Sequence, residues 1–165
     1  MRPGLIHKSA RDLPVPAHLA DWALTCAAFS WQQVRDELGG ADAGGVNIAQ
    51  LAVDRHALGP HAHRTALRFV GVDGHVRDVD FAELKSLTDR FANLLAALGV
   101  GAGERVFVLA GRLPALYVAV LGALKHGSVV TPLFSAFGPE PIATRVNIGG
   151  ARVLVTTEAL YRRKI

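Results

Sequence analysis

Between residues 105 and 132 the apolar pattern changes period twice, and that alternation limits the fold more than any other feature of the chain. Residues 106–110, VFVLA, are a continuous apolar run bounded by charge and glycine, which suits a strand covered on both faces. Pro114 then suits the first turn of a helix, where its missing N–H has no partner to lose. Leu113, Leu116, Tyr117, Val120, Leu121 and Leu124 form a stripe at helical spacing, and Gly127 closes it. A second strand begins at residues 129–131. Strand, helix and strand in this order make a βαβ unit with parallel strands, almost always joined right-handedly.

The flanks extend the pattern. Upstream, Phe81, Leu84, Leu87, Phe91, Leu94, Leu95 and Leu98 form the stripe of another helix. Asp80 is placed to cap it, Glu83 stands where a capping box wants an acid, and Gly99 can take the left-handed turn that stops it. Before this helix, strand patterns at 65–70 and 75–79 flank an Asp73-Gly74 pair that favours a hairpin. Downstream come a turn, a helix over 139–148 broken by Gly149-Gly150, and a third strand at 152–156. Glu158 onward starts a further helix or a tail. The fold class expected is α/β: a partial three-layer βαβαβ unit with parallel strands, preceded by a helical N-terminal segment and a β-hairpin. The edge at 152–156 is expected to be open unless something pairs with it, and the chain to be the front part of something larger.

The N-terminal third is less ordered in pattern. Residues 1–16 carry three prolines and read as an arm or linker. Residues 19–29 and 31–38 read as short helices, with Ser30 capping the second and Val34 and Leu38 sharing a face. The Gly/Ala/Asp run at 39–45 is the boundary expected between an N-terminal segment, 1–44, and a domain over 45–165. Asn47 then caps an amphipathic helix with Ile48, Leu51, Ala52 and Leu58 on its face, ended by Gly59-Pro60.

The totals exclude several classes. At 165 residues, 50% of them hydrophobic, the chain suits one ordinary domain. No apolar run reaches the roughly 18 residues of a membrane span, and the N-terminus has no apolar signal core. The net charge of +4 is scattered, so nothing argues for nucleic acid. The single cysteine, Cys26, excludes an internal disulfide and fits a reducing, cytoplasmic setting. Its Ala and Leu neighbours suggest a buried, inert thiol.

Most candidate motifs fail on context. Residues 99–103, GVGAG, follow a helix and precede a strand, whereas a phosphate loop must lead into a helix N-terminus, so they read as a plain turn. The glycine pair at 122 and 127 has phosphate-loop spacing but a serine where the lysine belongs. The histidines at 56, 61 and 63 have no companions that complete a ligand set, so no metal is expected. Two sites survive. One is the turn Phe134-Ser135-Ala136-Phe137-Gly138, which lies at the carboxyl end of a strand and runs into a helix N-terminus, where α/β sheets bind ligands and helix ends favour anions. The other is Arg162-Arg163-Lys164, three cations past the last strand that could grip a phosphate. A bare structural turn and a solvated tail remain the competing readings.

These residues also carry a family resemblance. NIAQLAVDRHALGP, the stretch from FAELKSLTDRF to PEPIATRV, and VLVTTEALYRRK closely resemble the front end of AMP-forming acetyl-CoA synthetases, which are acyl-adenylate-forming ligases. The likeness covers about residues 45 to 165. RFANLLAALGVGAGERVFVL is shared loosely across the superfamily; DRH, LFSAFGPEPI and TTEALYRRK are more specific. The resemblance implies an α/β domain and an enzyme that activates a carboxylate with Mg-ATP and passes the acyl group to CoA. It implies that Phe134, Ser135 and Ala136 occupy the place of the family's Phe-Gly-Gly turn near the CoA adenine, with only the Phe kept. It implies that Arg162 is the first arginine of an R-x-x-R that meets CoA phosphate; Ile165 stands at the second, with Arg163 and Lys164 beside it as substitutes. The family's ATP-phosphate loop, ribose-holding acid, acyl pocket, hinge and catalytic lysine have no counterpart in these residues. The expectation is therefore a partial CoA site, no catalytic residue, and a chain inactive alone whose partner is the remainder of the ligase. A standalone module for CoA or an adenine nucleotide and an interaction fragment are the alternatives.

Overall fold

The computed structural model describes residues 14, 15, 17–38 and 45–165. The arm expected at 1–16 and the loop expected at 39–45 fall almost entirely outside them. The chain divides into two compact units between Gly45 and Val46.

The first unit contains α1 (Trp22–Ala28) and α2 (Trp31–Glu37), capped by the Asp21 and Ser30 side chains as short polar residues at an N-cap do. Neither helix buries a residue, and Val34 is only half-buried. Cys26 is exposed, a correction to the buried thiol expected. Its apolar neighbours lie along a seven-residue helix that encloses nothing.

The second unit opens with a π-helical turn at Gln50–Asp54 that runs into α3 (Arg55–Ala57). Asn47 caps it through Oδ1, which accepts from the Ala49 and Gln50 amides at 2.9 and 3.2 Å. The buried face is Ala49 and Val53, not the Ile48 and Leu58 expected, which are exposed. Ala49 and Val53 stand four apart and so share one side, and the wider π turn rotates the succeeding residues away from an α-helical stripe.

A hairpin of β1 (Thr65–Val70) and β2 (Val76–Asp80) comes next, antiparallel, with Gly74 at φ +79° in its turn. Asp80 ends β2 and also caps α4 (Phe81–Ala97), accepting from the Glu83 amide at 2.7 Å, so no loop separates strand from helix. The Glu83 carboxylate pairs with Arg77 at 3.2 Å. Within α4 the buried side chains are Leu84, Thr88 and Leu95; Leu94 and Leu98, expected in the stripe, are exposed. Thr88 is buried because its hydroxyl donates to the Leu84 and Lys85 carbonyls of its own helix at 2.9 and 3.0 Å.

The sheet is β3 (Arg105–Leu109), β4 (Val129–Pro132) and β5 (Val153–Thr156), all parallel, in the order β4-β3-β5. Its centre, β3, alternates in the way a doubly covered strand must. Val106 and Val108 join Leu95, Val100, Ala119 and Ala123 on one face, with α4 and α5 (Pro114–His126). Phe107 and Leu109 join Leu133 and Ile142 on the other, with α6 (Pro139–Gly149). The α/β three-layer unit expected from sequence is thus present. The path runs from β3 to β4 through α5, then back across β3 to β5 through α6. Right-handed crossovers running in opposite directions put their helices on opposite faces, as here. Where the strand order reverses, open α/β sheets place ligands beyond the carboxyl ends.

Residues 99–103 are the expected turn, with Gly99 and Gly103 in the left-handed region, and Gly127 ends α5 the same way at φ +87°. Helix α5 meets the core through its small residues Ala119, Gly122 and Ala123 rather than through the large stripe, which flanks them half-buried apart from exposed Tyr117.

Three segments distant in sequence are tied by charge. Lys125, its side chain only 10% exposed, places Nζ 2.6 Å from Asp54 Oδ1 and 2.7 Å from Asp89 Oδ1. Lys85 adds a 2.7 Å bond to Asp89. Burial pushes the Asp89 carboxyl up, but the Lys125 and Lys85 ammonium groups outweigh it and hold it below its ordinary value. The Asn47 amide also donates to the Leu124 and Lys125 carbonyls, both at 3.1 Å, satisfying orphan acceptors at the end of α5.

Candidate functional site

The two segments singled out in the sequence both lie past the carboxyl ends of sheet strands. The turn 133–138 leaves β4 and enters α6 at its Gly138 N-cap, where no side chain caps the helix. Segment 162–164 lies in α7 (Glu158–Lys164), which comes after β5 and is capped by Thr157.

Local chemistry explains the shape of the turn. The Phe137 amide donates to the Phe134 carbonyl at 3.0 Å, closing a tight turn over Ser135 and Ala136. The Phe134 and Phe137 rings meet edge to face, 5.6 Å apart and at 85°, a favoured aromatic geometry. The Arg145 guanidinium lies 4.2 Å from the Phe137 ring centre, as cations lie over aromatic faces. Phe134 remains 65% exposed. Its large apolar face is open to a flat ligand, and π-faces of bases stack on such rings.

The three cations of α7 do three different things. Lys164 Nζ donates to the Ser135 carbonyl at 2.5 Å and to the Phe137 carbonyl at 2.7 Å. This contact, 29 residues apart in sequence at Ser135, brings the two predicted segments together. Arg162 donates through Nε and Nη2 to Glu158 Oε1 at 2.9 and 2.6 Å on the exposed side of the helix. Such an exposed pair is worth about 0–1 kcal/mol, so a phosphate can displace it. Arg163 is exposed.

Two hollows flank α6. One, of about 290 Å³, is lined by Pro139, Ile142, Val146, Leu154, Lys164 and Ile165. The other, of about 560 Å³, lies between Phe107, Thr131, Leu133, Phe134, Arg145 and Ile148. Both are largely apolar with one cation at the wall.

Sequence reasoning named Lys164 as a stand-in for a phosphate-binding arginine. Its carbonyl contacts were not legible, because nothing local in the α7 sequence marks a partner at Ser135. Phe134 offers an exposed aromatic face at the turn, and Arg162, two residues before Lys164 on the same helix and held only by an exposed partner, faces away from the Lys164 contact. Among the described residues no three His, Cys, Asp or Glu side chains converge on a point that could hold a metal.

The AMP-binding enzyme family model matches residues 53–165. An acetyl-coenzyme A synthetase of Streptomyces avermitilis is 36% identical over 120 residues, covering 73% of this chain and 18% of its own length. An acetyl-coenzyme A synthetase of Bacillus subtilis is 33% identical over 147 residues, covering 88% of this chain and 26% of its own. A 3-hydroxypropionyl-coenzyme A synthetase of Metallosphaera sedula is 33% identical over 120 residues, covering 73% and 18%. Among solved structures, a Brucella canis acyl-CoA synthetase superposes with a TM-score of 0.77 at 33% identity, covering 86% of this chain and 26% of that one. The chain thus spans about a quarter or less of the length of these relatives.

Proposed function

The chain belongs to the AMP-binding enzymes, and from that premise we propose that residues 45–165 are the beginning of the adenylate-forming domain of an AMP-forming acyl-CoA ligase, with acetate as the favoured acid. Such a ligase converts ATP and a carboxylate to an acyl-adenylate and pyrophosphate. It then passes the acyl group to CoA with release of AMP. Within that reaction these residues serve the CoA side. Phe134, Ser135 and Ala136 form the turn that faces the adenine, and Arg162, with Arg163, holds phosphate. The observation that supports the reading is the Lys164 contact to Ser135 and Phe137, which holds the helix of Arg162 and Arg163 next to the turn.

Adenylation is a different matter. It depends on positioning and charge stabilisation by groups that hold ATP, metal and acid, and no Ser/Thr/Gly/Lys phosphate loop occurs in the sequence. The 165-residue chain alone is therefore inactive. The single cysteine supports a reducing, cytoplasmic setting. Calorimetric titration with CoA tests the reading: wild type binds weakly and Arg162→Ala loses the binding. Equal heats in the two proteins refute it.

A second reading, in which the chain docks on a partner, is favoured by the outer edges of β4 and β5, which pair with no strand among the described residues, and by Ile148, 84% exposed. The partner is then the remainder of the ligase. A sedimentation run showing a clean monomer at high concentration counts against it.

A further inference from the structure

Lys164 stands in the CoA-facing segment, yet its ammonium group does not point at open solvent. It is half-buried, and two of its three N–H donors are taken by the Ser135 and Phe137 carbonyls at 2.5 and 2.7 Å. Charge-assisted bonds of this length are strong, and a cation spent on two carbonyls has one donor left for an anion. The two carbonyls bracket Ala136 and belong to the turn that sets the Phe134 ring against Phe137. Neither Ser135 nor Ala136 can lend the turn the backbone freedom of glycine. Its conformation is held from outside, by a side chain on the helix after the next strand.

We propose that Lys164 is a positioning residue: it fixes the Phe134–Gly138 turn, and through it the Phe134 ring, in the orientation that receives the adenine, rather than binding phosphate itself. The proposal rests on the CoA reading above. It separates the three cations of α7 into two classes, Arg162 and Arg163 for the ligand and Lys164 for the turn.

The test uses the 165-residue chain with the variants Lys164→Met and Lys164→Arg, and two probes, CoA and adenosine, which carries no phosphate. Binding is read from amide chemical shifts, with ligand up to about 10 mM, where weak binding still reads out. Hydrogen exchange at residues 134–138 is read in parallel without ligand. Lys164→Met is expected to weaken CoA and adenosine by the same factor, about tenfold for the loss of two charge-assisted bonds, and to speed exchange in the turn. Lys164→Arg, which can still donate to both carbonyls, restores both. Weakening of CoA with adenosine unchanged makes Lys164 a phosphate ligand and overturns the proposal. Unchanged exchange in Lys164→Met overturns it as well. If wild type binds neither probe while exchange responds as expected, the CoA reading fails and Lys164 is a structural clamp only.

Discussion

Gly122→Ala puts two well-known effects in opposition at one position. Alanine is the better helix former by about 1 kcal/mol, so on propensity alone the change stabilises α5. The structure points the other way. A Cβ at Gly122 would lie 2.8 Å from Phe91 Cβ, 2.9 Å from Phe91 Cδ1 and 3.0 Å from the Thr88 carbonyl oxygen. Carbon atoms make their best contact near about 3.5 Å, so the shortfall at Phe91 Cβ is about 0.7 Å. That atom sits next to the α4 backbone and cannot swing aside as a side-chain tip could. The helices must part, and a gap of about 0.5–1 Å forfeits a quarter to a half of each dispersion contact along the seam. Overpacking of this kind costs about 1–3 kcal/mol. Set against the propensity gain of about 1 kcal/mol, Gly122→Ala is expected to lose about 1 kcal/mol net and at most about 2, with Tm falling by about 2–4 °C for each kcal/mol lost in a chain of this size. Urea unfolding followed by far-UV circular dichroism reads the change as a lower midpoint at constant slope. A variant stabilised by the full propensity gain would refute the close approach of α4 and α5.

Lys125→Met should cost about 2 kcal/mol, the value for breaking a buried pair discounted for the partial exposure of Asp89, because it leaves Asp54 and Asp89 without their shared cation; the same urea experiment checks it. Asn47→Ala, which removes a cap and two bonds to the end of α5, should cost about 1–2 kcal/mol by the same assay. The pH dependence arises from three carboxylates held below their ordinary range: Asp80, Asp89, and Asp78, which is lowered by the hydrogen bonds it accepts from Arg68. Asp80 is lowered by the Glu83 amide and then by His63, and Asp89 by its two lysines over the opposing effect of burial. Their contribution is complete above the unfolded value of about 4 and is lost as pH falls through the lower folded values. Tm between pH 7 and pH 3 should therefore be flat and then drop, and Asp89→Asn should shallow the drop; an equal drop in the variant would count against it.

The features legible in the sequence were local. The Asp80 cap, the Pro114 helix start and the Gly127 stop each depend on neighbours within a turn, and each stands where the pattern put it. The strands of the sheet were legible because a doubly covered strand has no polar face to hide. The features that escaped depended on partners far away or on polar atoms satisfied in unusual ways. Thr88 reads as polar, yet it is buried because its hydroxyl bonds its own helix. Lys125 and Asp54 stand 71 residues apart, and nothing in either neighbourhood announces the other. Cys26 failed for the converse reason: an apolar neighbourhood in sequence encloses a side chain only when another element covers it. The positions of the two candidate segments past the strand ends were legible, and their junction through Lys164 was not.

The central claim is that this chain carries the CoA-facing turn of an acyl-CoA ligase without the apparatus that forms the adenylate. The direct measurement is ATP–pyrophosphate exchange by the purified 165-residue chain with acetate and Mg. The account predicts exchange no greater than that of a buffer control; acetate-dependent exchange above that background would contradict it.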